Sequence, residues 1–264
     1  MRRGFSQQLA VSIALVALAL GAVAPSLAQD GGAFPFFYVV TSEIKPGMGS
    51  TYALAIGQVI AANKSNENGS NVATFVNVTG EGAVYHHFIA MQSLGEMDNM
   101  DLPGLLIAEL GPEKAGQVLE SLTSSADSTT RVLKFIPQLS KMPSQPAMAP
   151  PPMVLHAGYQ VPAENVAEFL QVAAKYVGAT RENPKAPASV GYNTIVGGED
   201  FEYSFFISLS KWGDMDGMAT PREVSIDAFG LQGAAQLGDK ASELATASAQ
   251  LLAYVPELSN IPTQ

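Results

Sequence analysis

Residues 78–100 read VTGEGAVYHHFIAMQSLGEMDNM, and residues 196–218 read VGGEDFEYSFFISLSKWGDMDGM. Set side by side without a gap, they share ten of 23 positions: Val78, Gly80, Glu81, Tyr85, Phe88, Ile89, Gly95, Met97, Asp98 and Met100 recur as Val196, Gly198, Glu199, Tyr203, Phe206, Ile207, Gly213, Met215, Asp216 and Met218. Ordinary residue usage gives about one or two. The pairing continues outward, from Pro46 with Pro162 to Gly111, Ala115 and Gln117 with Gly230, Ala234 and Gln236, and then to Pro137, Leu139 and Ser140 with Pro256, Leu258 and Ser259. The chain is a tandem duplication, with copies over residues 35–140 and 153–260. Residues 141–152 between them carry prolines at 143, 146, 150, 151 and 152. Proline fixes φ and removes backbone donors, so this stretch reads as an extended linker.

Each copy shows one order of elements. Residues 36–44 and 153–161 are apolar, β-prone and end near a proline. Tyr52, Ile56, Val59 and Ile60, and then Val166, Phe169, Leu170, Ala173 and Val177, make helical stripes within residues 49–64 and 163–181. Strand two, at 72–79 and 190–196, turns at glycines into strand three, at 83–92 and 201–210. A second helix is expected at about 112–129 and 231–249, with Leu237, Ala241, Leu244 and Ser248 as its stripe in the second copy, and strand four at 131–136 and 250–255. The order βαββαβ is the ferredoxin-like unit. Two helices cover one face of its sheet, and the other face lacks polar alternation and needs cover that a second copy can supply. The expected fold class is α+β: two βαββαβ ferredoxin-like repeats packed sheet to sheet as a pseudo-dimeric α/β barrel. By element order and repeat, residues 35–260 resemble the dimeric α/β-barrel superfamily. The resemblance implies company with antibiotic-biosynthesis-type monooxygenases, haem-handling proteins and stress-responsive barrel proteins, and no single chemistry, because the fold hosts many.

Composition removes several classes of function. The 264 residues hold 14 Lys+Arg against 24 Asp+Glu, a net charge of −10, which argues against a partner made of nucleic acid. Zero cysteines exclude disulfides, thiol nucleophiles, Cys-ligated zinc and iron–sulfur clusters. Met1-Arg2-Arg3, an apolar run from Leu9 to Val23 and Ser26-Leu27-Ala28 have the layout of a signal peptide over residues 1–28, with an uncleaved anchor as the competing reading. Its removal leaves an exported chain, secreted or periplasmic, with a net charge of −12 and no further membrane span.

Alternation divides strand three into a bulky face, Tyr85, His87, Ile89 and Met91 with Tyr203, Phe205, Ile207 and Leu209, and a mixed face that includes His86, Phe88, Ser204 and Phe206. The bulky face suits helices and the mixed face suits the space between the sheets. On strand one, Tyr38, Val40 and Ser42 are assigned to the same interior as Val154, His156 and Gly158. The only three histidines are His86, His87 and His156. Adjacent strand residues point apart, so His86 and His156, one per copy, are the pair able to converge. Ser204 stands where the first copy has His86, and Val40 where the second has His156. That asymmetry fits a single site, and equally a set of satisfied polar core residues.

Trp212, where the first copy has Leu94, either roofs the pocket mouth or caps the barrel end. The acidic runs at residues 96–101 and 214–218 lack the frame of a calcium loop, and helix capping by Asp98 and Asp216 explains them with fewer assumptions. No metal site is expected. The leading functional reading is an exported, monomeric barrel that binds a small apolar or aromatic ligand at His86, His156, Phe88, Phe206, Tyr38, Ser204 and Trp212. The alternatives are a monooxygenase-like or haem-handling enzyme using His86 or His156, and a structural envelope or extracellular protein with a filled interior.

Overall fold

The structure, a computed structural model, describes residues 33–66, 69–79, 82–144, 149–198 and 201–261; the expected leader lies outside them. The first copy runs β1 (Phe36–Ile44), α1 (Gly49–Ser65), β2 (Val72–Asn77), β3 (Val84–Met91), α2 (Leu102–Leu110), α3 (Pro112–Ser125) and β4 (Ala126–Phe135). The second runs β5 (Met153–Val161), α4 (Val166–Glu182), β6 (Val190–Val196), β7 (Phe201–Leu209), a single turn α5 (Asp214–Gly217), α6 (Pro221–Leu244) and β8 (Thr246–Tyr254). The sheets have the orders β4-β1-β3-β2 and β8-β5-β7-β6. They join edge to edge, β2 to β8 and β4 to β6, as one closed antiparallel barrel of eight strands. Closure pairs the four edges that two open sheets would leave as templates for aggregation. This is the pseudo-dimeric α/β-barrel fold, made within one polypeptide.

Helices cover the outside. In the first copy Tyr52, Ile56 and Val59 of α1, Leu106 of α2, and Val118 and Leu122 of α3 pack on Tyr38, Val40, Ile89 and Met91 of the barrel wall. In the second, Phe169 of α4 and Leu244 of α6 pack on Val161 and Tyr203. Met97, Met100, Met215 and Met218 belong to these outer cores.

Several boundaries differ from the sequence reading. The second helices stop at Ser125 and Leu244, and strand four begins at Ala126 and Thr246, so Ser248 is a strand residue and not part of a helical stripe. Apart from Ala126, residues 124 to 130 are Ser, Thr and Asp, which are weak helix formers. β1 and β5 offer ladders that run from Phe36↔Lys134 to Ile44↔Ala126 and from Met153↔Ala253 to Gln160↔Thr246, and this long-range pairing overrides local pattern. Gly111 (φ +79°) separates α2 from α3, and its counterpart Gly230 (φ +70°) kinks α6 at the same place, a backbone state other residues rarely adopt. The turn after strand three is capped by Glu96, which accepts from the Gln92 and Ser93 amides, and by Asp214, which accepts from Ser210 and Lys211; Asp98 and Asp216 do not take that role.

Each copy ends in a strap laid on the other. The Thr74 amide donates to Ser259 Oγ at 2.9 Å, and Thr74 Oγ1 donates to the Leu258 carbonyl. In the mirrored position the Gly191 amide donates to Ser140 Oγ at 2.8 Å. The two copies are therefore joined by barrel seams and by reciprocal straps as well.

Candidate functional site

Strand alternation decides what faces the lumen. Ladder pairs set Phe37 against Ala90, Val39 against Phe88 and Thr41 against His86. Val39 lies with Leu133 and Tyr192 inside the barrel, whereas Tyr38 and Val40 lie under the helices. The interior assignment of Tyr38, Val40 and Ser42 is thus corrected to Phe37, Val39 and Thr41. The proline match misplaced strand one by one residue, and a one-residue slip exchanges the two faces. The true counterpart of His156 is Val39, and that of Gly158 is Thr41. On β5, Val154 lies in the lumen with Phe75, Leu252, Phe88 and Phe206.

The lumen has two regions. Rings make one: Phe88 meets Phe206 edge to face at 5.5 Å, Phe37 at 5.9 Å and Phe75 at 5.8 Å, and Tyr192 meets Phe206 at 5.8 Å. Phe37, Phe88, Phe206 and His156 nevertheless stay only partly covered. Side chains on the inner face of a closed barrel reach solvent through the lumen or its mouths, so these four residues border one of them.

Polar groups make the other region, toward the start of β3 and β7. His86 is 7% exposed; its Nδ1 lies 3.1 Å from Thr41 Oγ1, and its Nε2 is buried without a partner. His156 stacks on Phe206 at 4.8 Å, with Nε2 3.0 Å from Ser204 Oγ. Arg131 of β4 pairs with Glu202 of β7 across the β4–β6 seam, and Glu202 also accepts from Thr194 Oγ1 at 3.4 Å. Burial holds the His86 imidazole down to about 4, and the Arg131 guanidinium adds to this. His156 is held down to about 4 by burial, then by His86 and Arg131. Both are neutral at pH 7, and each lies within electrostatic reach of Arg131.

His86, His156, Phe88, Phe206 and Ser204 thus come together. Tyr38 does not, because it faces the helices. Trp212 is 54% exposed and lies three residues beyond the end of β7, past the opposite end of that strand from Glu202 and Ser204. His87 points outward, wholly buried, between Tyr52 Oη at 2.7 Å and Thr74 Oγ1 at 2.9 Å. Asn63, in an Asn-Lys-Ser glycosylation pattern, is buried and holds the amide and carbonyl of Ser70.

Arg131 and Thr41 were missed as interior residues, whereas Gly158 and Glu202 were placed on interior faces without being counted as site residues. Arg131 would have been found by applying to strand four the alternation used on strand three, since Arg131, Leu133 and Phe135 share a face. At Gly158 an added Cβ would lie 2.9 Å from Ser248 Oγ and 3.8 Å from the His156 ring, so this glycine keeps space beside the histidine.

Of the two lumen histidines, His86 has a ring nitrogen, Nε2, that is buried without a partner, whereas His156 holds Ser204 through Nε2 and stacks on Phe206. Among the described residues, no three His, Asp or Glu side chains form a metal-holding group.

No protein-family model matches the chain, and no curated protein is detectably similar to it. Solved structures do match. An anthrone oxidase-like protein aligns at 8% identity with a TM-score of 0.52, over 88% of this chain and 94% of its own. A candidate monooxygenase from Fusobacterium nucleatum aligns at 12% identity with a TM-score of 0.51, over 84% of this chain and 93% of its own. A chlorite dismutase from Candidatus Nitrospira defluvii aligns at 10% identity and 0.47, over 88% and 94%. What the first two likenesses establish is the fold.

Proposed function

We propose that this chain is an exported binding protein that takes a small, mostly aromatic molecule into the lumen of its barrel. The observation that carries the reading is His86: a buried imidazole whose Nε2 has no partner, beside aromatic rings that are still partly uncovered. A buried polar atom without a hydrogen bond costs about 1–3 kcal/mol, a deficit that a ligand supplying the missing partner would remove. The surrounding rings supply the apolar contact, and few polar anchors set the orientation. Partial exposure inside the lumen speaks against a purely structural barrel with a filled interior. One polypeptide supplies both sheets, so the functional unit is a monomer.

Titration with 2-naphthol, followed by its fluorescence, tests the proposal. Saturable one-to-one binding that is weakened in His86→Leu and blocked in Val39→Trp is expected; absence of binding to the wild-type chain overturns it. An oxygen electrode in the same titration decides the oxygen-using alternative suggested by the names of the structural neighbours. Steady uptake of O2 dependent on 2-naphthol would replace binding with oxidation as the function.

A further inference from the structure

The hydrogen atoms of the polar region can be placed by counting donors and acceptors. Thr41 Oγ1 has one partner, His86 Nδ1. If Nδ1 carried the proton, the Thr41 hydroxyl hydrogen would have no acceptor and His86 Nε2 would be a lone pair without a donor. If the hydroxyl donates to Nδ1 instead, the proton sits on Nε2 and only that one group is unmet. The second arrangement leaves fewer buried polar groups unsatisfied. Ser204 Oγ likewise has one partner, His156 Nε2, so the same reasoning leaves the proton of His156 on Nδ1.

Arg131 adds more donors. Its ion pair uses Nη1 and one oxygen of Glu202, while a guanidinium has five N–H groups. The only charged acceptor among these groups, Glu202, is already shared by Arg131 and Thr194. The polar region therefore holds one buried donor without an acceptor, His86 Nε2–H, near a guanidinium that gives Nη1 to its ion pair. It is also lopsided: the counterpart of Arg131 in the second copy, on the inner face of β8, is the uncharged Gln250, which lies opposite His156. Gly158, where the first copy has Thr41, holds room open on that side.

Resting on the lumen-binding reading, we infer that the ligand is an aromatic carboxylic acid, its carboxylate held by Arg131 and His86 Nε2–H and its ring laid against Phe88 and Phe206. A planar anion meets the requirement for acceptors, and a flat ring suits the edge-to-face contacts that the phenylalanines already make. Glu202 holds the guanidinium in place and also limits how tightly an anion can bind.

The test compares 2-naphthoate, 2-naphthol and 2-naphthylmethylammonium by calorimetry on the full chain, with Arg131→Gln, which copies Gln250, and Glu202→Gln. Naphthoate is expected to bind tightest. Arg131→Gln should weaken naphthoate by about ten- to a hundredfold and naphthol far less, as for loss of a charge-assisted hydrogen bond. Glu202→Gln should tighten naphthoate several-fold; a staple with no ligand role would give no such gain. If Arg131→Gln does not fold, the Glu202→Gln comparison alone decides. Equal binding of naphthoate and naphthol, unchanged by either variant, overturns the acid and leaves the lumen reading standing. Preference for the ammonium probe overturns it in favour of Glu202 as the anchor. No binding of any probe overturns both readings.

Discussion

Phe88 and Phe206 are the same position in the two copies, and they meet edge to face with ring centroids 5.5 Å apart. A side chain touches its own counterpart only beside the axis that relates the two units. This pair therefore marks the middle of the barrel, where the first copy adds His86 and Arg131 and the second adds His156 and Glu202. One candidate site, unlike in its two halves, results from a duplication that made them alike.

Phe88→Ala and Phe206→Ala should each destabilise the chain. Full truncation of a buried phenylalanine costs about 3–5 kcal/mol. These rings are partly uncovered, so a loss of about 2–3 kcal/mol is expected, read as a lower urea midpoint with little change in slope. The enlarged lumen should accept anthracene-sized probes that the parent chain excludes.

Two adjacent residues on β1 should behave oppositely. Val39→Trp fills the lumen and should abolish binding of 2-naphthol. Tyr38→Phe removes a hydroxyl from the helix-facing side and should leave the affinity unchanged. Comparable loss in both variants would mean that the faces of β1 are exchanged.

Acid should loosen the fold. His86 and His156 are held down to about 4 and His87 to about 3, chiefly by burial, against an ordinary value of 6.5. Between pH 6.5 and about 4 the unfolded chain binds protons that the folded chain refuses, so stability falls as pH falls through that window. Each unit of separation is worth about 1.4 kcal/mol, or a few kcal/mol per histidine at full effect. His87→Gln should be less stable at pH 7 yet lose less on acidification, as measured by urea melts at pH 7 and pH 4.5.

Neither copy should persist alone. Residues 33–144 by themselves would expose the lumen face, two strand edges and the groups that the second copy's strap satisfies. Produced separately, the copies should aggregate or self-associate, and produced together they should pair. A soluble monomer of either one, by light scattering, would contradict the seams and straps described above.

If the leader is cleaved as its layout indicates, export of the full gene product should yield a mass that begins at Gln29. A product retaining Met1 in the membrane fraction would instead establish the uncleaved anchor.

How much of this was legible in advance depended on the range of the interaction. The hairpin register of strand three could be read from residues 84–92, because alternation is local and needs no partner to be named. Strand one could not be placed to the residue: its only alignment mark was a proline beyond its end, and a slip of one is invisible to composition but exchanges Tyr38 for Val39. Strand four was shortened because Ala126 to Thr130 is ambiguous alone and is drawn into the ladder only by β1.

The sequence by itself determined that there are two copies, that each carries the ferredoxin-like order, and that one face of each sheet must be covered by the other copy. Repetition and hydrophobic period are written along the chain, and burying apolar surface leaves little choice of architecture. Only the tertiary structure decided which edges close the barrel, β2 on β8 and β4 on β6, that Arg131 meets Glu202 across a seam, and that His86 Nε2 is left without a partner. Those outcomes depend on which atoms come within a few ångströms after residues 71 positions apart have been brought together, and no local pattern encodes that distance.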